Sequence, residues 1–493
     1  MVSLRSSTPM WWVTRHDRPV PPDDALTPRD RSGGGLVTGR PATVLTIALL
    51  AAMAVVTVLS VTALGFFDPA DAGGIVWLTA LLWALYAAAL WTVRHIPPRA
   101  AVVLVIAGSA VLGASALAGP PNTSTDSARY AWDGIVQLGG TSPYAYVPAD
   151  DALESFRTAW LFPASVLDAD GRAQCEGSRV ERTITVPSFV VLCTTINRPQ
   201  VNTIYPPAAE LYFAAVRATV PSGAAYWPFQ AAGALIAVGV SVALVLAMRR
   251  RGIDPRWAAL WAWSPFVATE AVTNSHVDAL ATLLLLVATL LLSRAGPGDM
   301  KRSVLGGIAL GLSIATKLVP VIGVPAVLRR HPVSVTISAL VTFVVLYIPY
   351  VAMTGLAVIG FLPGYLTEEG YDDGSRFALL SLVAPGVGAI VLAGILLLVT
   401  AVLVFRFADP DNPWLGQVVM IGVTILVVTP HYSWYALLLV PFIALSRRWE
   451  WMIVPLALTA QLLVPTVAVS RISFGVAAAV VLAAAVMRRR ARS

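Results

Sequence analysis

Residues 43–67 read TVLTIALLAAMAVVTVLSVTALGFF. No Asp, Glu, Lys or Arg interrupts this stretch, and about 20 apolar residues in helical form suffice to cross the hydrocarbon layer of a membrane. Comparable runs recur at 74–93, 100–119 and 226–247. Of the 493 residues, 57% are hydrophobic and 12% charged, whereas a soluble globular protein carries about 25% charged residues. That balance excludes a soluble enzyme. The expected fold class is an all-α polytopic membrane protein.

The formal net charge is +7, but no basic stripe interleaved with aromatics accompanies it, so nucleic acid is not an expected partner. The arginines instead punctuate the apolar runs, and Lys and Arg accumulate on cytoplasmic ends. Residues 1–42, with Arg5, Arg15, Arg18, Arg29, Arg31 and Arg40, read as a disordered cytoplasmic tail. Spans follow within 43–120, leaving the chain outside. The 226–247 run ends on Arg249, Arg250 and Arg251 and therefore returns to the cytoplasm, which makes 121–225 a large first extracytoplasmic loop with short surface helices. One of those helices is expected at 208–220, opened by Pro206 and Pro207.

Further spans are read at 256–273, 276–293, 303–317, 318–328, 333–353, 385–405, 414–430, 434–446, 451–469 and 473–487. Together these give a bundle of about 12–14 transmembrane helices. They occupy 226–487, with a second outer loop at 354–376 and a basic cytoplasmic tail at 488–493. Both termini are expected in the cytoplasm. There is no internal repeat of the kind that marks the inverted halves of a transporter.

Ionisable groups at membrane depth are costly and mark function. Here they gather on the expected outer face. Asp126, Arg129 and Asp133 open the first outer loop, followed by Tyr144, Asn197-Arg198-Pro199 and Tyr205. Glu270, Asn274, His276 and Asp278 lie at a junction between spans, Lys317 at the end of another, and His431, Trp434 and Tyr435 at a third.

The segment Asp126–Pro148, DSARYAWDGIVQLGGTSPYAYVP, resembles the first extracytoplasmic loop of bacterial GT-C-fold membrane glycosyltransferases. The resemblance continues through TIYPP at 203–207, NSHVDAL at 274–280, ATKLVP at 315–320 and TPHYSWYALLLVPF at 429–442. It is nearest to polyprenol-phosphate-mannose-dependent mannosyltransferases, although the family often has an aromatic where this chain has Ala128. The resemblance implies a GT-C-like bundle with an extracytoplasmic active site in a bacterial cytoplasmic membrane. It also implies transfer of a hexose, mannose first among them, from a polyprenyl-phosphate donor to a lipid or glycan acceptor.

The chemistry is consistent with that expectation. A polyprenyl phosphate leaves as a weak base, so no general acid is needed. The requirements are a general base for the acceptor hydroxyl and positive charge on the phosphate. Asp126 is the expected base, matching the family's first-loop Asp; an N-cap is the competing role. Arg129, His276, Asp278, Lys317, Arg198 and Tyr205 are expected around the donor phosphate and sugar. Asp133, four residues after Arg129 at ion-pair spacing, belongs behind them or on the acceptor side, with Tyr144, His431, Trp434 and Tyr435.

Lys317 has snorkelling as its alternative, and the aromatics have membership of an interfacial belt. Cys175 and Cys193, the only cysteines, are expected to form a disulfide in an oxidising compartment, with free thiols as the alternative. No cofactor is expected; a divalent metal is a further reading, since some GT-C enzymes use one. A β-linked donor displaced once would give inversion. The competing functions are a transporter or flippase of lipid-linked sugars, and an envelope-polymer ligase or polymerase with a diphosphate-linked donor.

Overall fold

A computed structural model describes residues 39–64, 71–177 and 179–491. The expected tail at 1–42 lies outside them except for 39–42, which already belong to the first helix. The chain opens with α1 (Gly39–Ala63), α2 (Ala72–Val93) and α3 (Pro98–Ala116). Next come α4 (Asp126–Leu138), α5 (Pro207–Arg217) and the long α6 (Trp227–Arg250). Short helices α7 (Ala259–Ala262) and α8 (Pro265–Val267) lead through a π-helical turn, Ala268–Thr273, into α9 (Asp278–Leu292) and α10 (Met300–Thr316). The remainder comprises α11 (Pro332–Thr354), α12 (Leu362–Glu368), α13 (Val387–Phe407), α14 (Trp414–Val428), α15 (Val440–Ser446), α16 (Ile453–Leu463) and α17 (Val467–Arg490).

The protein is an all-α polytopic membrane protein. Among the described residues, seven helical runs are long and apolar enough to cross a membrane, or eight if Pro265–Thr273 and Asp278–Leu292, bent by 114°, form one broken span. That is fewer than the expected 12–14. Several other expected spans are shorter apolar helices, Trp414–Val428, Ser433–Ser446 and Trp449–Leu463. Proline interrupts two of the expected spans, because it removes a backbone donor and clashes with the preceding turn. The expected span at 318–328 is a 3-10 helix, Val319–Ala326, with Pro325 inside it. The expected span at 434–446 divides into a 3-10 turn, Ser433–Leu438, and α15 with Pro441 in its first turn. The expected outer loop at 354–376 is helical in its first half, since Pro332–Glu368 runs on through a 3-10 turn into α12.

Between α3 and α6 the chain builds a small lobe on α4 and α5. Nine of the residues of α4 are buried, Trp132 and Tyr130 among them. Tyr130 stacks on Phe213 of α5 with ring centres 4.4 Å apart. The helix axes come close because Gly134 faces α5; a Cβ there would lie 2.6 Å from the Phe213 carbonyl oxygen. Pro207 starts α5 close to the expected position, since a first-turn proline forfeits no helical bond. Two antiparallel hairpins, β1 (Val166–Leu167) with β2 (Ala173–Gln174) and β3 (Glu181–Ile184) with β4 (Val191–Thr194), complete the lobe. Cys175 and Cys193 are joined in a disulfide, S–S 2.01 Å.

Arginines gather the opposite ends of the long helices. After α6, Arg251 donates to the Asp411 carbonyl, to Asn412 and to the hydroxyl of Ser293, just past α9. Arg330 pairs with Asp411 at 2.8 Å. The other end of α9 begins at Asp278, beside the site described below. The π turn ahead of α9 packs tightly on α6: a Cβ on Gly233 would sit 1.9 Å from the Ala271 carbonyl oxygen. Gly233→Ala should therefore lower stability by about 1–3 kcal/mol through overpacking, read as a lower melting temperature in detergent. An unchanged melt would show that this contact does not set the helix spacing.

Candidate active site

Three interruptions of helix meet at one place, and each has a local cause. The first lies between the π turn and α9. There Ser275 adopts a left-handed backbone, φ 52°, and the Asn274 side-chain oxygen accepts from the backbone N–H groups of Asn122 and Thr123, both at 3.2 Å. Gln230 of α6 donates to the carbonyls of Thr273 and Gly119, at 2.8 and 2.9 Å. The Gln230 side chain thus supplies a partner for a carbonyl of the broken helix, and Asn274 at the break supplies one for the neighbouring 122–123 segment. The second lies at Lys317, where α10 stops in an extended residue just before Pro320. The third follows α14, where Thr429 is left-handed, φ 47°, and its hydroxyl donates to the Arg376 carbonyl at 2.7 Å.

The start of α4 lies against these breaks. Asp126 is the first residue of α4 and caps nothing; Thr125 occupies the cap position, without a side-chain cap bond. The Asp126 carboxylate accepts from Asn197 Nδ2 at 2.6 Å and from the Tyr205 hydroxyl at 3.4 Å. His276 Nδ1 lies 3.6 Å from Asp126 Oδ2, and its Nε2 lies 3.4 Å from Glu270 Oε2. Trp434 stacks on the His276 ring with centres 3.7 Å apart. Burial pushes the Asp126 carboxyl up, but hydrogen bonding and charge from His276, the Lys317 charge and the Asn197 amide outweigh it. They hold the carboxyl at about 2.

A cavity of about 300 Å³ opens in front of this carboxylate. Seven of the expected site residues line it: Asp126, Arg129, Arg198, Tyr205, Lys317, Trp434 and Tyr435. Lys317 Nζ lies 3.0 Å from Asp278 Oδ2 and 5.4 and 5.5 Å from the ring centres of Tyr205 and Tyr435. It is therefore held between a carboxylate and two aromatic faces, not extended toward solvent as a snorkelling lysine would be. Arg198, at φ 51°, donates to Glu368 at 2.9 Å and to the Tyr432 hydroxyl at 3.2 Å.

Other expected residues lie elsewhere. Asp133 is buried behind the cavity, accepting from Arg129 Nε at 2.8 and 2.9 Å. Tyr144 is packed edge-on against Tyr350, and its hydroxyl donates to the Tyr205 carbonyl at 2.6 Å; it does not line the cavity. His431 is more than half exposed and turns to Glu369 Oε2 at 3.2 Å. Phe361 and Tyr365 of the α12 region line the cavity and were not expected, because their segment reads as a loop. Asn197 stood in a quoted motif, but nothing in that motif pointed to Asp126. Among the described residues, no group of three or more His, Cys, Asp and Glu side chains is placed to hold a metal ion.

Residues 203–430 match the model of glycosyltransferase family 87. The match supports a glycosyltransferase activity in general, with sugar donor and acceptor substrates, in a multi-pass membrane chain. No curated protein and no solved structure matches the chain significantly. The family 87 match takes in Tyr205, His276, Asp278 and Lys317 and stops short of Trp434 and Tyr435; Asp126, Arg129 and Arg198 precede it.

A carboxyl held at about 2 stays ionised as pH falls through the ordinary carboxylate range, near about 4. If transfer needs ionised Asp126, the wild-type rate should show no acid limb near that value. Removing the His276 charge raises the Asp126 pKa, so the acid limb of the His276→Asn pH–rate profile should lie at higher pH than that of the wild type. Coincident pH–rate profiles would show that His276 does not set the Asp126 charge.

Proposed function

We propose that the protein transfers a hexose, mannose by resemblance, from a polyprenyl-phosphate donor to a lipid-linked or cell-envelope glycan acceptor at the outer face of the cytoplasmic membrane. The observation that carries this reading is one aromatic-walled cavity holding an ionised carboxylate, Asp126, together with Lys317, Arg129 and Arg198. A single displacement needs a base on one side of the sugar and cations on the other.

In that reaction the acceptor oxygen attacks the anomeric carbon while the bond from that carbon to the phosphate oxygen breaks. The phosphate departs with the bonding electrons, and the acceptor proton passes to Asp126. A strongly acidic carboxyl is a weak base, so proton transfer comes late, once attack has made the hydroxyl acidic. Lys317, Arg129 and Arg198 neutralise the departing phosphate, and His276 and Asn197 hold the base. Tyr205, Tyr365 and Tyr435 offer flat faces for the sugar or the first isoprene unit. One displacement inverts the anomeric configuration.

Asp126→Asn preserves the size and the Tyr205 contact but removes the base. It should leave the protein folded and reduce transfer by about 10²–10⁴-fold, measured with purified protein in lipid, labelled polyprenyl-phosphate mannose and a crude acceptor-lipid extract. Near-normal transfer would remove Asp126 from the role of base. Lys317→Ala should weaken apparent donor affinity by about tenfold, the loss of one charge-assisted contact, and acceptor affinity far less. An unchanged donor affinity would return Lys317 to a structural role. Glucose- and arabinose-linked donors in the same assay, read by mass spectrometry, identify the sugar.

A further inference from the structure

Behind the cavity wall lies a buried polar cluster that the proposed reaction does not use directly. Glu210, in the first turn of α5, is fully buried. Its Oε1 accepts from the Thr203 hydroxyl at 2.7 Å and its Oε2 from Gln137 Nε2 at 2.9 Å. Gln137 in turn accepts from the Tyr350 hydroxyl at 2.7 Å. On the cavity side Glu210 lies against Asp133: Gln137 Nε2 donates to the Asp133 carbonyl at 3.2 Å as well as to Glu210, and the two carboxyl groups are within hydrogen-bond reach of each other. Asp133 holds Arg129 Nε through both carboxylate oxygens, and Arg129 Nη1 donates to the Val201 carbonyl at 3.0 Å. Arg129 Nη2 has no hydrogen-bond partner within the protein, and Arg129 lines the cavity.

The cluster contains two carboxyl groups, Asp133 and Glu210, and one guanidinium, Arg129, all nine-tenths or more buried. The other titratable groups facing Glu210 are the neutral phenols of Tyr144 and Tyr350. Two ionised carboxylates facing one cation in such a place would leave a buried charge uncompensated, which is costly. A carboxylate pair in hydrogen-bond contact also requires a proton between the partners. Both requirements are met when Glu210 is a neutral acid that donates to Asp133.

We propose that Glu210 is a positioning residue for the transfer reaction: as a neutral hydrogen-bond donor to Asp133, it fixes the Arg129 guanidinium at the cavity wall for the donor phosphate. Burial, reinforced by the Asp133 charge, pushes the Glu210 carboxyl well up, in agreement with this geometry. The inference rests on the proposed function only in taking Arg129 as a phosphate contact. The Arg129 Nε–H shared between both Asp133 oxygens stays in place because neither carboxylate oxygen has to face a second negative charge.

The test compares Glu210→Gln, Glu210→Leu and Arg129→Gln in the purified full-length protein. Glu210→Gln keeps a neutral N–H donor toward Asp133 and should keep the KM for polyprenyl-phosphate mannose within about threefold of wild type, whereas Glu210→Leu should raise it about tenfold, as for one lost buried hydrogen bond. The kcat should change less than the KM in both. The infrared difference spectrum between wild type and Glu210→Gln at neutral pH should show loss of a protonated carboxylic-acid carbonyl band.

Loss of a carboxylate band instead, a Glu210→Gln donor KM raised as far as that of Glu210→Leu, or a folded Glu210→Leu with wild-type donor KM overturns the inference while leaving the site reading intact. An Arg129→Gln protein with wild-type donor KM removes Arg129 as a phosphate contact and overturns the inference with it. Should Glu210→Leu not fold, the infrared band and the Glu210→Gln donor KM decide.

Discussion

A backbone in hydrocarbon must satisfy its own N–H and C=O groups, since no water is present to do so. A helix can therefore break inside such a bundle only where side chains supply the missing bonds. In this protein the breaks are concentrated around one cavity, and side chains at or beside two of them bond backbone groups there and on neighbouring segments. Gln230 donates to the Thr273 carbonyl before α9, Asn274 in that turn accepts from the backbone N–H groups of Asn122 and Thr123, and Thr429 after α14 donates to the Arg376 carbonyl. The polar groups that mend the backbone also bring the remaining machinery to the same spot. Ser433, in the turn after α14, donates to Glu270 at 2.6 Å, and Glu270 faces His276.

Electrostatics follows from this packing. Asp126 is removed from most of its solvent and would be costly alone. It is retained as an anion because Asn197, Tyr205 and His276 surround it and Lys317 stands nearby. Lys317 is in turn balanced by Asp278 in the first turn of α9. The charges thus come in offset sets, and a phosphate entering the cavity would meet cations whose own partners are fixed. The α4–α5 lobe repeats the arrangement one layer back, with Arg129 between the cavity and Asp133.

Much of this was legible in the residues alone, and the rest has definite reasons for being hidden. The i to i+4 spacing of Arg129 and Asp133 foretold their pairing, because helical neighbours interact by geometry intrinsic to the helix. The Pro206-Pro207 pair marked the start of α5. By contrast, Tyr365 sits in a stretch that reads as a loop, with no periodicity to mark it. Tyr144 shares a motif with Asp126, but the motif does not show that its hydroxyl is taken by the Tyr205 carbonyl. Apolar content alone did not show that 318–328 and 434–446 are broken into 3-10 turns and short helices, since hydropathy does not register the prolines within them.

The sequence by itself determined the all-α membrane architecture, through long runs without charge, and it set the chemical types available to the site. It also separated the arginine-rich helix ends from the acidic and aromatic ones. Only the tertiary structure decided that Asn197 and Tyr205, 71 and 79 residues from Asp126 along the chain, meet its carboxylate, and that Lys317 lies against Asp278, 39 residues away. Periodicity reports which face of an element a residue occupies. Which residue stands across from it depends on how broken helices pack, and that is settled by close approaches such as Gly233 against Ala271 and by the side chains that mend the breaks.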